Sequence, residues 1–256
     1  MNIGILGYGQ IGKSIARCYK KKTVNNIDLY VYDRQEELCK RMVNEKEVLD
    51  VLHICVPYNE KKRFCDSVHE AGIQWAINKT LVIIHSTVDI GVTNYFSKCY
   101  GNRLTVHSPV RGVHPNLYEG LKTFVKYIGC DDIEAGYKAK DHMEKYMLIA
   151  CRIVSGSRNT EAGKLWSVNQ YGINILIEKT IYKYCKDNDL DYRVVYKDFN
   201  TSYNRGYEKL DDNRFRKYVI DHMDGGMGGH CLCPDLEIVG DELCKFALKY
   251  NERFKG

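Results

Sequence analysis

The chain has 256 residues, with 38 Lys or Arg against 33 Asp or Glu, a formal charge of +5. Both signs are interspersed, which leaves no nucleic-acid footprint, and no apolar run is long enough to span a membrane. Eleven cysteines lie scattered through strand-like and helix-like runs, so reduced thiols in a cytoplasmic protein are expected rather than a disulfide framework. With a core strand read from residue 3, no leader peptide is expected.

Met1 to Leu6 reads as a short apolar strand, followed by Gly7-Tyr8-Gly9-Gln10-Ile11-Gly12 and an amphipathic run from Lys13 to Lys22. Lys20, Lys21 and Lys22 read as a solvated helix end. A second strand, Ile27 to Tyr32, ends at Asp33. Strand, glycine loop, helix, strand and terminal acid in this register form the dinucleotide-binding fingerprint. Gly7 makes the tight turn, Gly9 admits a pyrophosphate, and Gly12 allows close helix–strand packing. The stretch through Tyr8, Gln10 and Ile11 lines the phosphates at a helix N-terminus. Asp33 can bind both ribose hydroxyls, which favours NAD over NADP, whereas Arg34 beside it can meet a 2′-phosphate.

Val51 to Val56 is a third strand stopped by Pro57, and Val56 and Pro57 are expected beside the cofactor. A helix fits Glu60 to Ala71. Thr80 to His85 is a fourth strand, followed by Ser86 and Thr87, also cofactor candidates, and a helix from about Asp89 to Cys99. Thr87 reads equally well as a helix N-cap. Leu104 to His107 and Phe124 to Ile128 are strands five and six. In the loop after strand five, Arg111 and His114 can hold an anionic substrate, or be exposed loop charges. A helix over Ile133 to Met147 and a strand over Arg152 to Val154 complete residues 1–156. Alternating strands and helices predict an α/β fold, a Rossmann domain with a doubly wound parallel sheet.

Ser155-Gly156-Ser157 marks a break. A long helix fits Thr160 to Cys185, with short helical pieces at Arg193–Phe199 and Arg214–His222 and a final helix over Pro234 to Tyr250. Residues 157–256 are expected to form a smaller all-α domain for substrate binding and dimerisation. Trp166 and the tyrosines of this part read as core or dimer interface.

Gly225-Gly-Met-Gly-Gly-His-Cys-Leu-Cys-Pro-Asp235 is the most informative stretch. Glycines, among them Gly228 and Gly229, let backbone approach a ligand. Cys231, just before a helix start, sits where the dipole favours thiolate; the plainer reading is a small buried residue. His230, Cys231 and Cys233 match no standard zinc spacing, so no metal is expected.

The fingerprint, Ile54-Cys55-Val56-Pro57, Ser86-Thr87-Val88, the Gly225–Asp235 loop and the weaker Glu161-Ala162-Gly163-Lys164-Leu165 together resemble the UDP-sugar dehydrogenases. Those are relatives of the 6-phosphogluconate and 3-hydroxyisobutyrate dehydrogenases. The resemblance implies an NAD-dependent homodimer with substrate between two domains. It implies that Cys231 is the nucleophile, that Asp235 assists it, and that Lys164 and Thr87 serve the reaction centre.

Three features depart from that pattern. The family's Ser/Asn-Pro-Glu after strand five is Ser108-Pro109-Val110, without the glutamate. The asparagine expected four residues beyond Lys164 is Val168, with Asn169 one later. At ~100° per residue Asn169 points about 140° away, and Ser167 and Tyr171 share the lysine's face as substrate candidates. The sequence stops at Gly256, where the family continues into a third, UDP-binding domain. The expectation is therefore oxidation of an alcohol on a sugar or sugar derivative, through a Cys231 thiohemiacetal and thioester. The rivals are a two-electron β-hydroxyacid dehydrogenase or ketoreductase without covalent catalysis, and a non-catalytic NAD sensor or scaffold.

Overall fold

The computed structural model describes residues 1–19, 26–40, 48–77, 79–113, 115–229 and 231–255. Lys20 to Lys22, His114 and His230 lie outside the described residues. The chain divides into two compact units, Met1–Lys164 and Leu165–Gly256.

The first unit is built on seven strands: β1 (Asn2–Leu6), β2 (Asp28–Tyr32), β3 (Val51–Ile54), β4 (Leu81–Ile84), β5 (Thr105–His107), β6 (Lys126–Cys130) and β7 (Cys151–Ser155). They lie in the order β2-β1-β3-β4-β5-β6-β7. Helices α1 (Gln10–Tyr19), α2 (Lys61–Glu70), α3 (Val92–Cys99), α4 (Leu117–Thr123) and α5 (Ile133–His142) connect them. Both sheet faces are buried, so strand residues alternate between two cores. Ile3, Ile5, Val51 and Ile83 pack in the core that holds Ile15 of α1 and Ala139 of α5. Leu6, Leu52, Ile54 and Ile84 pack with Phe64 of α2 and Phe96 of α3.

The sheet is not wholly parallel. β6 runs antiparallel to β5, pairing Val106 with Cys130 and His107 with Gly129, and β7 is parallel to β6. Among the described residues between β5 and β6 the helix is the seven-residue α4, about 10 Å long at 1.5 Å per residue.

The second unit contains no strand among its described residues. It follows α6 (Ser157–Asp187) with a π-helical turn at Arg193–Asp198, α7 (Phe199–Lys209), α8 (Leu232–Val239) and α9 (Glu242–Asn251). The single helix expected over Pro234 to Tyr250 is two. Gly240 takes φ 60°, and Asp241 caps α9 by accepting the Cys244 amide at 2.7 Å. Of the expected helix at Arg214–His222, only a 3₁₀ turn at Asn213–Phe215 forms. The segment after it is held by α6 instead: the buried Glu178 accepts from Tyr192 Oη at 2.6 Å and pairs with His222 Nδ1 at 2.9 Å. Leu176, Met227, Leu236, Cys244 and Ala247 form this unit's core.

The expected boundary at Gly156 is displaced into α6, because the first turns of that helix are tied to the sheet. Asp131 accepts the amide and hydroxyl of Ser157 at 3.0 and 2.8 Å. Thr160 Oγ1 meets His107 Nδ1 at 2.9 Å. Glu161, fully buried, accepts the amides of Gly91 and Thr93 at the start of α3 at 2.6 and 2.8 Å.

Polar side chains also run through the apolar side of the sheet. Tyr19 Oη lies 2.6 Å from both His142 Nε2 and His53 Nε2, and His53 Nδ1 lies 2.8 Å from His85 Nε2. His85 Nδ1 meets the Ser108 carbonyl at 2.8 Å. A carbonyl only accepts, so His85 Nδ1 carries the proton and its Nε2 must accept from His53. His53 Nε2 then accepts from Tyr19, whose oxygen accepts from His142. One terminal acceptor sets every tautomer in the chain.

Burial holds His53 and His85 well below the ordinary histidine value of 6.5, His142 down to about 4 and His107 to about 3. All are neutral when folded and bind protons below 6.5 once unfolded. Their contribution to stability is therefore full above that pH and is lost as pH falls from 6.5 towards the folded values, at roughly 1.4 kcal/mol per pH unit per proton. Urea unfolding followed between pH 7 and 5 is expected to show a loss of at least ~2 kcal/mol. A flat profile over that range would show that these imidazoles are not kept neutral.

Candidate active site

The fingerprint turn owes its shape to contacts that exclude a side chain. Gly7 takes φ 89°, and a Cβ there would lie 2.9 Å from the Cys55 carbonyl. A Cβ on Gly12 would lie 2.0 Å from the Gly7 carbonyl oxygen, so α1 crosses the turn only because residue 12 is glycine. Gly9 differs: a Cβ there would meet nothing within 4 Å, and the residue faces open space. Gln10, Ile11 and Gly12 form the first turn of α1, whose amides lack intrahelical partners. Tyr8 is buried and packs its ring in the core. Its amide donates to Asp33 Oδ2 at 2.5 Å, and Gln35 donates to Oδ1 at 3.1 Å. Asp33 therefore fastens the turn to the end of β2 as well as standing at the mouth of the cleft.

A cleft of about 440 Å³ opens here, lined by Gly7, Gly9, Asp33, Arg34, Val56, Pro57 and residues of α2. The first six are cofactor candidates named from sequence; Tyr8, Gln10, Ile11 and Gly12, also named, are not among the lining residues. Ser86 and Thr87 do not line it. The Ser86 hydroxyl donates to the Val56 carbonyl at 2.5 Å, holding the end of β3. Thr87 is half-buried and is not a cap: α3 begins at Val92, with Gly91 at its N-cap and Glu161 supplying the acceptors.

Beside β5, Lys126 is the residue that sequence reasoning missed. It is buried, and its ammonium donates to the carbonyls of Ser108 and Pro109 at 2.6 and 3.0 Å. Burial pushes its amine down to about 7, opposed by the thiols of Cys151, Cys55 and Cys18 and reinforced by the charge of Lys164. Lysine 126 inside the apolar run Phe124 to Ile128 was the available signal, since a lysine there must find partners or lose its charge. Val110, standing where a glutamate was expected, is buried in the apolar core. Arg111 is exposed, with its guanidinium 5.6 Å from the Phe124 ring and 5.5 Å from the Tyr127 ring. His114 lies outside the described residues. Lys164, half-buried on α6, is the last residue of this unit.

In the second unit the glycine loop is pinned at its middle. Met227 is buried, its amide donates to Asn251 Oδ1 at 2.5 Å, and Asn251 Nδ2 donates back to the Met227 carbonyl at 2.9 Å. Gly172 of α6 makes room for the methionine, since a Cβ there would lie 2.8 Å from its sulfur. Gly228 and Gly229 are left exposed, Gly229 with φ 91°. Cys231 is exposed and forms the N-cap of α8; its carbonyl accepts the Asp235 amide at 2.9 Å. Asp235 is buried, and Asn169 Nδ2 donates to its carbonyl at 3.3 Å. Asn169 is thus the buried residue that meets the cysteine helix, whereas Ser167 and Tyr171 are exposed. All eleven cysteines are free, and among the described residues no group of His, Cys, Asp or Glu is placed to hold a metal.

The glycines separate fold from site. Gly12→Ala is expected to destabilise the first unit by ~2 kcal/mol or more, because backbone must move, while Gly9→Ala should leave the thermal midpoint within about 2 °C of the parent. Equal effects in calorimetry would contradict the geometry given for the turn.

No protein-family model and no curated protein matches the sequence. Solved structures do. The UDP-D-ManNAc dehydrogenase of Pyrococcus horikoshii superposes with a TM-score of 0.77 at 19% identity, covering 99% of this chain and 69% of that one. A UDP-glucose dehydrogenase of Pyrobaculum islandicum gives 0.75 at 18% identity, covering 98% and 68%. The 3-hydroxyisobutyrate dehydrogenase of Mycobacterium tuberculosis gives 0.70 at 12% identity, covering 99% and 93%. At these identities the likeness establishes the fold: a mostly parallel, Rossmann-type sheet followed by helices, shared with dehydrogenases of nucleotide sugars and of a hydroxyacid.

Proposed function

We propose that the chain is an NAD-dependent dehydrogenase acting on a CH–OH group of a sugar or sugar derivative. The observation that carries this is the cleft at the fingerprint turn, where Gly9 is open, Gly12 is forced, and Asp33 stands at the mouth. The backbone from Gly7 to Gly12, with Tyr8, Gln10 and Ile11, would hold the pyrophosphate; Asp33, Val56 and Pro57 would flank the adenosine half, and Ser86 and Thr87 the far end. NAD, when bound, supplies the hydride acceptor. The solved neighbours, named for dehydrogenases of nucleotide sugars and of 3-hydroxyisobutyrate, support the same class.

The chain's own residues supply the rest. Lys164 takes the alcohol proton or steadies the developing alkoxide. Cys231 would add its sulfur to the carbonyl carbon, giving a thiohemiacetal; loss of a second hydride to a second NAD⁺ would give a thioester, which water, aided by Asp235, would cleave to a carboxylate and the free thiol. Thr87, Arg111, His114, Ser167, Tyr171, Gly228 and Gly229 are the proposed substrate contacts. A second reading stops after one hydride, as in a β-hydroxyacid dehydrogenase. The buried Val110, where an acid for the hydrolytic half was expected, favours it.

We also propose a cytoplasmic homodimer. No described helix is long and apolar enough to cross a membrane. On α6 and α9, Ile177, Leu243 and Phe246 are exposed around an apolar groove of about 370 Å³, the kind of surface that supports self-association.

The test is NADH production over nucleotide sugars, free sugars, sugar phosphates and β-hydroxyacids, with product mass spectrometry, for the parent and Cys231→Ser. Two NADH and an acid from the parent, falling to one or fewer in the variant, are expected for the covalent route. One NADH and a carbonyl product in both proteins would assign the two-electron reaction. No turnover of any substrate by a protein that binds NAD would contradict the enzymatic reading.

A further inference from the structure

We infer that Glu70 is the residue that makes this cleft reject a 2′-phosphate, and that it does so by disarming Arg34. The inference rests on the dinucleotide reading of the cleft. Arg34 follows Asp33 directly, and an arginine at that place is the ordinary partner of a 2′-phosphate. Here two of its five donors are engaged, on the edge that would face a phosphate: Arg34 Nε and Nη2 lie 3.2 and 2.7 Å from the same Glu70 oxygen.

Glu70 is the last residue of α2, and Arg63, Ser67 and Glu70 all line the cleft. Residues at i, i+4 and i+7 share one helix face, so Glu70 stands on the face of α2 that lines the cleft, beside the Asp33–Arg34 pair. Two carboxylates therefore accompany the two guanidiniums of Arg34 and Arg63 at the mouth. A ribose with two hydroxyls meets acceptors there. A ribose carrying a phosphate meets repulsion from both acids, and the arginine next to Asp33 is already paired with one of them.

The ion pair is exposed, with side chains 77% and 48% accessible. Such a pair adds little to stability, so its consequence falls on recognition rather than on folding. Asp33 is the poorer place to alter specificity, because its carboxylate also fastens the Tyr8 amide.

The experiment is calorimetric titration of the parent, Glu70→Gln and the double variant Arg34→Ala/Glu70→Gln with NAD⁺ and with NADP⁺ at low ionic strength, with thermal midpoints as the folding control. The parent is expected to prefer NAD⁺. Glu70→Gln should raise the ratio of NADP⁺ to NAD⁺ affinity by about tenfold, as expected when a freed guanidinium gains a charge-assisted phosphate contact. Removing Arg34 as well should return the ratio to the parent's. An unchanged ratio in Glu70→Gln, or a gain that survives loss of Arg34, overturns the inference and leaves NAD binding intact. A parent that binds neither dinucleotide overturns the cofactor reading itself.

Discussion

The contact between Gly12 and the Gly7 carbonyl constrains everything built around it. With 2.0 Å between that oxygen and any Cβ at residue 12, α1 can leave β1 at this angle only when both positions lack side chains. The angle brings the first turn of α1 to the ends of β1 and β3, and the Tyr8–Asp33 hydrogen bond closes the same turn onto β2. Three strand ends and one helix N-terminus are fixed around a single opening. The fold thus creates an anion-binding edge before any ligand arrives.

The first unit buries many polar side chains, most of them paired, although Thr93 Oγ1 is not. The His142–Tyr19–His53–His85 chain ends on the Ser108 carbonyl, which also accepts from Lys126. Glu161 replaces a missing side-chain cap on α3 from a different element. Unpaired, each of these groups would cost several kcal/mol in an apolar setting. Paired, one set ties α5, α1, β3 and β6 to the loop after β5, and the other ties the start of α6 to α3. The loop after β5, where an acid was expected and valine stands, is held by these backbone-directed bonds.

The fold class was legible because strand and helix periods alternate cleanly through residues 1–107, and because the glycine fingerprint has a strict steric meaning. What failed has physical causes. The reversal at β6 was hidden because α4 follows Pro115 and is too short to show a period. The last helix read as continuous because Gly240 and Asp241, a stop and a cap in succession, fall inside an apolar pattern that runs on through both pieces. The domain boundary was placed at Gly156 because a glycine break is visible in sequence, whereas the bonds from Ser157, Thr160 and Glu161 to the sheet are long-range. At the site, Gly7, Gly9, Asp33, Arg34, Val56 and Pro57 were readable because each belongs to a local motif, whereas Arg63, Ser67 and Glu70 reach the cleft only through the packing of α2. Lys126 and Asn169 were not: their meaning comes from carbonyls at Ser108, Pro109 and Asp235, far away in the chain.

The reading of function depends on the first unit holding a dinucleotide, since the chemistry assigned to Lys164 and Cys231 has no electron acceptor without it. The most direct measurement is a calorimetric count of NAD⁺ bound to the parent chain, set against the same titration of Gly9→Ala, where a methyl would project into the open space above the turn. One NAD⁺ per chain, with binding lost in a variant that remains folded, is the expected result. No binding by the parent, or equal binding by both proteins, would contradict the assignment of the glycine turn as the cofactor site.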